Sequence, residues 1–404
     1  MSKISPEERI SEYKEKAVAA KMAGDLQTAA DWYYKAARLA DFDSASEYAR
    51  IAFPHIYDPI PNEKKAAANG TKIYKWESYE YSKLNMKLSR EKDEDIKFQK
   101  RLEAHKKLAA KYDHPMVDNL FGSFYWAYCG IKGEAEAYLK KAAERGDYAA
   151  ACSLILAYGK NSYKASNGTV TCVQDMEQFW KYVFLTYELS KQRLAWFTHR
   201  GVSGSKYAAS SRYDYIPHYQ VRLLDDMADN LCISIASDVF PEEPPADGKA
   251  EEKPVDRTSY DYRPKSYKYA NLAEEDKESM FLWLRALCDT FPNLDIFATK
   301  HQFLCYMYTE GYGCEQDVEK ARQVIKNVPM VDGSVHDALV KYDHYTPDYQ
   351  RGWMEPIVAY FLAEEWVEKG ENLEQAKAWL TRVTTDSKWE KYRIAAQELL
   401  DKLA

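Results

Sequence analysis

The stretch that decides the fold runs from Phe303 to Lys326 and reads FLCYMYTEGYGCEQDVEKARQVIK. Leu304 and Tyr308 stand four residues apart, so both side chains share one face of a helix. Gly311 and Gly313 allow the backbone to reverse after that helix, because glycine reaches positive φ without steric cost. The spacing predicts a helix followed by a tight turn.

A second helix is predicted directly after the turn. Asp317 is a residue type that caps helix N-termini, and Ala321 is small enough to let two helices approach closely. The whole stretch therefore predicts a helical hairpin. One hairpin cannot bury its own apolar face, so the unit is expected to recur.

Parts of the hairpin do recur. The second-helix pattern, a small residue followed by an aromatic residue and further small or apolar residues, is repeated at Ala29, Trp32, Tyr33, Lys35, Ala36 and Ala37, at Ala135, Tyr138, Leu139, Lys141, Ala142 and Ala143, and at Ala376, Trp379, Leu380 and Val383. The first-helix spacing is repeated at Leu154 and Tyr158, and Cys172, Gln174 and Asp175 match Cys314, Gln316 and Asp317. Repetition in the same order predicts a chain built of stacked helix pairs.

These runs resemble Sel-one-like repeats, relatives of the tetratricopeptide repeat. The resemblance covers about half of the chain and departs from the family pattern at Cys305 and Cys314, where the family usually has Gly and Val. It implies an all-α fold, an α-solenoid of stacked antiparallel helix pairs, here with irregular insertions. The family is a fold and interaction signature and brings no catalytic residues with it.

Composition agrees with a long repeat protein. The chain has 404 residues, of which 46% are hydrophobic and 29% are charged. Prolines and charges crowd residues 241–268 with few aliphatic residues, which predicts a mobile loop or linker there. We therefore predict an N-terminal helical-repeat part at 1–240 and a C-terminal one at 269–404. A polar insertion at 160–171 is also predicted to be a loop.

Charge and cysteine content restrict the function classes. The net charge of −7 argues against a nucleic-acid partner, because such proteins usually present a basic stripe. The seven cysteines form no Cys-x-x-Cys pair, and neither a signal peptide nor an apolar run long enough to cross a membrane is present. The sequence predicts a cytoplasmic protein without a membrane partner. No oligomeric state is predicted.

Catalytic motifs are scarce, and we predict no catalytic residue, metal or cofactor. The run Lys111 to His114 is repeated at Lys341 to His344, and its Asp and His side chains are metal-ligand types. Helix ends capped by aspartate explain the repeat as well. Cys305 and Cys314 fit as small packed residues that need no chemistry.

Tyrosine is the feature that rises above background, with 33 in the chain. Tyr33, Tyr138 and Tyr308 occupy repeat positions and are predicted to be core residues. Other aromatic residues cluster in irregular segments, where rigid rings with polar tips suit recognition of a protein. The predicted partner-binding residues are Tyr213, Tyr215, Tyr260, Tyr262, Arg263, Tyr342, Tyr345 and Trp353.

These observations favour a protein-interaction solenoid that acts as adaptor, scaffold or inhibitor through its concave face and its tyrosine-rich loops. The alternative is an enzyme whose groups, scattered over several repeats, meet in the solenoid groove. A third hypothesis, single-stranded nucleic-acid binding through the aromatic loops, is disfavoured by the net charge of −7. A deep pocket with convergent titratable side chains would favour the enzyme, and an open groove would favour the interaction protein.

Overall fold

The computed structural model describes residues 4–59, 62–129, 133–159, 162–164, 170–172, 174–191, 219–239, 272–291, 299–326, 355–386 and 390–403. Over these residues the chain is almost entirely helical, which confirms the all-α prediction. One short antiparallel pair, β1 (Ser162–Lys164) and β2 (Val170–Cys172), departs from it in the described part. This pair lies at the insertion that was predicted to be a loop.

The chain divides into two compact units, Met1–Leu272 and Ala273–Ala404. The described helices of the first unit are α1 (Pro6–Met22), α2 (Leu26–Arg38), α3 (Phe42–Ala52), α4 (Glu63–Lys75), α5 (Ser82–Leu88), α6 (Glu94–Lys111), α7 (Pro115–Cys129), α8 (Glu134–Glu144), α9 (Tyr148–Gly159), α10 (Met176–Lys191) and α11 (Tyr219–Val239). Those of the second unit are α12 (Glu274–Thr290), α13 (Thr299–Glu310), α14 (Val318–Lys326), α15 (Glu355–Lys369), α16 (Leu373–Asp386) and α17 (Glu390–Leu403). The predicted linker at 241–268 lies outside the described residues.

Helices that follow one another in the chain pack against one another. Within the first unit, α1 packs on α2, α7 on α8 and α9 on α10, and α10 also reaches back to α3. Within the second unit, α13 packs on α14 and α15 on α16. The core is therefore built pair by pair, as the hairpin pattern predicts.

The hairpin of α13 and α14 forms as the sequence predicts. Gly311 and Gly313 have φ values of 69° and 68°, in the left-handed region that glycine tolerates. The backbone N–H of Lys320 donates to Asp317 Oδ1 at 2.9 Å, so Asp317 caps α14. Ala321 is fully buried, where a small side chain is needed between packed helices.

The turn between α9 and α10 repeats this hydrogen bonding in the first unit. The N–H of Asp175 donates to the carbonyl oxygen of Tyr158 at 3.2 Å, and the N–H of Asp317 donates to that of Tyr308 at 2.8 Å. Asp175 also caps its helix, accepting from the N–H of Gln178 at 3.0 Å. The sequence match between the two stretches thus corresponds to one shared hydrogen bond and one shared helix cap.

A second feature recurs at helix ends: four of the described helices are followed by a glycine of positive φ. These glycines are Gly24, Gly146, Gly311 and Gly370. In each case the N–H of the following residue donates to a carbonyl oxygen five residues back, at 2.9 or 3.0 Å. This is the Schellman arrangement, which satisfies carbonyl groups that a helix end would otherwise leave without partners.

The first helix, α1, begins at the position that the sequence predicts. The N–H of Glu8 donates to Ser5 Oγ at 3.2 Å, and the N–H of Ser5 donates to Glu8 Oε2 at 3.1 Å. This reciprocal capping box begins α1 where Ser5 and the proline after it predict.

Candidate ligand-binding groove

The predicted partner-binding residues fall outside the described part of the chain. These are Tyr213, Tyr215, Tyr260, Tyr262, Arg263, Tyr342, Tyr345 and Trp353. The second copy of the Lys-Tyr-Asp-His run, Lys341 to His344, also lies outside it. The site they would form stays a prediction.

The first copy of that run serves the helix ends. Asp113 Oδ1 pairs with Arg145 at 2.7 Å, and His114 Nδ1 accepts from the N–H of Met116 at 3.2 Å at the start of α7. Burial, with the nearby guanidinium of Arg145, lowers the pKa of His114 to about 4, so its imidazole is neutral at pH 7. Among the described residues no group of three or more His, Cys, Asp or Glu side chains is arranged to hold a metal ion.

The two cysteines of the α13–α14 hairpin, Cys305 and Cys314, are packing residues. Cys305 is fully buried, and burial raises the pKa of its thiol to about 12. The thiol of Cys314 donates to the carbonyl oxygen of Met307 at 3.3 Å, and neither cysteine is in a disulfide. Both thiols stay protonated at neutral pH, which leaves them poor nucleophiles.

An open groove of about 700 Å³ lies in the first unit between α4 and the end of α6. It is lined by four lysines, which are Lys72, Lys75, Lys107 and Lys111. Four aromatic residues, Tyr74, Trp76, Tyr79 and Tyr112, share the lining with Ser78, Glu80 and Leu108. We call this surface the basic-aromatic groove.

Helix periodicity accounts for the two lysine rows. Lys72 and Lys75 are three residues apart on α4, and Lys107 and Lys111 are four apart on α6, so each pair shares a helix face. Ile73 and Leu108 are buried beside them in one apolar cluster with residues of α7. Burial of these two side chains fixes both helices and leaves the adjacent lysines exposed.

A π-helical segment, Trp76–Tyr81, carries two of the four rings of the groove, Trp76 and Tyr79. Its hydrogen bonds span five residues, which brings side chains at that spacing over each other. The rings of Trp76 and Tyr81 stack accordingly, with centroids 5.2 Å apart and planes 24° apart. Trp76 also meets His105 edge-on at 5.5 Å, so its ring is held from below.

His105 forms the floor of this aromatic cluster. It is buried, its Nδ1–H donates to the carbonyl oxygen of Arg101 at 2.9 Å, and its ring stacks on Phe124 at 4.9 Å. Burial lowers the pKa of His105 to about 4, so the ring is neutral at pH 7. His105 therefore gives Trp76 an uncharged support from within the core.

Three of the four groove lysines have no carboxylate partner in the described part of the chain. Among the described residues, Lys72, Lys75 and Lys111 form no ion pair, whereas Lys107 pairs with Glu103 at 2.7 Å on the exposed surface. Glu80 is the one carboxylate in the lining. The arrangement can hold an anion and offers aromatic rings to whatever the anion is attached to.

The sequence does carry a signal for this groove. Residues 62–112 contain fourteen Lys and Arg against eight Asp and Glu, in a chain whose net charge is −7. A count over the whole chain hides this local excess of six positive charges. A count of charged residues over 62–112 alone identifies this segment as basic.

No protein-family model matches the chain, and no curated protein matches it.

None of the described helices combines the length and apolar character needed to cross a membrane.

Proposed function

We propose that this chain is a helical-repeat interaction protein, an α-solenoid of stacked helix pairs that holds another protein as adaptor, scaffold or inhibitor. The observation that carries the proposal is the recurrence of one hydrogen bond at matched positions of two hairpins. The bond from Asp175 to Tyr158 and the bond from Asp317 to Tyr308 join equivalent positions of two hairpins, one in each compact unit. Repeats of this kind build extended binding surfaces.

The resemblance to Sel-one-like repeats supports the same function. Leu154 and Leu304 occupy the same position in two of the recurring hairpins, and both side chains are buried. Chains built in this way bind partners through exposed faces and loops, while the repeat core supplies stability.

The described cavity also fits binding better than catalysis. Its lining holds lysines, rings and one carboxylate, Glu80, in an open groove. An enzyme site would be expected to bring several titratable groups of different kinds together in a deep pocket. The buried histidines, His105 and His114, are neutral and take part in packing and capping.

The test is partner capture by the tagged full chain, with loop variants chosen from the tyrosine-rich segments. We expect Tyr260→Ala combined with Tyr262→Ala and Arg263→Ala to reduce recovery of the partner while far-UV circular dichroism stays unchanged. Met22→Ala, which changes an exposed side chain of α1 outside both the groove and the tyrosine-rich segments, is the control and should leave capture unchanged. Undiminished capture by the triple variant would remove that segment from the proposal.

A further inference from the structure

We propose that the basic-aromatic groove binds single-stranded nucleic acid. Proteins that bind single strands without sequence preference combine a positively charged groove, which follows the phosphates, with aromatic side chains on which bases stack. The groove brings both elements together, with lysines on α4 and α6 and the rings of Trp76 and Tyr79 on the π-helical segment between α4 and α5. This ligand goes beyond the protein partner proposed above.

The charge distribution supports a polyanion at this place. Residues 62–112 carry six more positive than negative charges, although the chain as a whole carries −7. The whole-chain value argues against nucleic acid only when charge is spread evenly, which it is not. Lys72, Lys75 and Lys111 add exposed ammonium groups without ion pairs among the described residues.

The rings favour a single strand over a duplex. Tyr79 is 63% exposed, so its ring is open to a ligand, and Lys83 lies 5.6 Å from its centroid. Trp76 is held in place by Tyr81 and His105 and lines the groove. Base faces are accessible for stacking in a single strand and are covered in a duplex.

The exposed ring distinguishes a nucleic acid from an acidic peptide. All four cationic residues of the lining are lysines, and an ammonium group attracts phosphate and carboxylate alike. The side chains of Asp and Glu carry no aromatic ring, whereas every nucleotide base can stack on the exposed ring of Tyr79. The composition therefore suits a phosphate backbone with unpaired bases.

The test measures fluorescence anisotropy of labelled oligo(dT) and oligo(rU), each about ten nucleotides long, within the range that one such site covers. Phosphate contacts from the three lysines without ion pairs among the described residues, Lys72, Lys75 and Lys111, predict a slope of about −2.1 for log K against log salt concentration, at about −0.7 per contact on a single strand. Lys72→Gln combined with Lys75→Gln should reduce that slope to about −0.7. Lys14→Gln combined with Lys16→Gln on α1 makes the same change of charge outside the groove and should leave the slope unchanged.

The ring contribution is tested separately from charge. Tyr79→Leu should weaken binding about fivefold or more, and Tyr79→Phe, which keeps the ring, should bind like the unaltered protein. Binding of neither oligonucleotide at low salt would overturn the proposal. So would equal binding of a duplex, equal competition by polyglutamate, or no effect of Tyr79→Leu, because each result reduces the groove to a general anion site.

The same lysine variant separates this proposal from the protein-interaction function. The double variant Lys72→Gln and Lys75→Gln should still capture a protein partner after nuclease treatment. Loss of oligonucleotide binding with capture retained supports the groove assignment. Failure of partner capture by the unaltered chain would count against the interaction function alone.

Discussion

Replacement of Gly313 by alanine tests the geometry of the hairpin that defines the fold. Gly313 has a φ of 68° and lies directly against the backbone of α12. A Cβ atom added there would overlap the carbonyl group of Lys277 and would lie 2.9 Å from the backbone nitrogen of Glu278. Backbone atoms within a helix cannot move aside as a flexible side chain can, so the turn or the helix has to shift.

Gly370 provides the matched control in the same compact unit. Its φ is 66°, and a Cβ atom added there would meet nothing within 4 Å. Gly370→Ala should therefore cost only the left-handed strain, about 1–2 kcal/mol. Gly313→Ala adds an overlap that costs about 1–3 kcal/mol more, giving a total of about 2–5 kcal/mol.

Urea unfolding followed by far-UV circular dichroism gives the free energy of unfolding for each variant. Hydrogen exchange of the peptides covering α12, α13 and α14 then shows where protection is lost. We expect Gly313→Ala to lower protection in these helices more than Gly370→Ala does. Equal costs for the two variants, or a smaller cost for Gly313→Ala, would refute the close approach between Gly313 and α12.

Three further predictions concern burial and capping. The pKa of His105 is about 4 in the folded chain and about 6.5 when unfolded, so the unfolded state binds more protons between these values and stability falls on acidification. Between pH 7 and pH 4.5 this histidine should lower the free energy of unfolding by about 2–3 kcal/mol. Urea unfolding at the two pH values should show a smaller decrease for His105→Gln than for the unaltered protein. An equal decrease would contradict the lowered pKa of His105. Asp317→Ala should cost about 1 kcal/mol through the cap of α14, seen as faster hydrogen exchange in Val318–Lys326, and unchanged exchange would contradict that role. Tyr57→Phe removes a hydrogen bond of 2.8 Å to the buried Glu188 and should cost about 1.5 kcal/mol in thermal or urea unfolding, whereas a neutral result would show that this bond contributes nothing.

Local rules of the chain predicted the hairpins well. Gly311, Gly313 and Asp317 each have the conformation or the hydrogen bond that their residue types favour. Tyr33 and Tyr308 are buried, as their repeat positions predict, whereas Tyr138 is half-buried at the edge of an apolar cluster. These features depend on neighbours within a few residues, and for that reason the sequence suffices to predict them.

The same local rules did not predict the π-helical segment, Trp76–Tyr81. Tyr74, Trp76, Tyr79 and Tyr81 have a spacing that fits either a helix face or a strand, and the helical patterns on both sides favour a helix. The chain is helical there, but Trp76 and Tyr81 stack through a five-residue turn that packing on His105 supports. Side-chain contacts with α6 select that turn, and sequence spacing along one helix does not contain them.

The groove was missed for a related reason. Lys72 and Lys107 are far apart in the sequence and line one surface only because α4 and α6 lie beside each other there. The net charge of −7 averages over the whole chain and conceals the basic segment at 62–112. Function was predicted from tyrosine-rich loops, whereas the described site is formed by helices.

The central claim, that this chain works by holding another protein, is tested most directly by the amount of protein that co-purifies with it. The tagged full chain is purified gently from its native host after nuclease treatment, and the co-purifying chains are identified and quantified. The account predicts a partner at near equal amounts that binds again when both proteins are purified separately. Recovery of the chain without any such partner, over a range of salt concentrations, would contradict it.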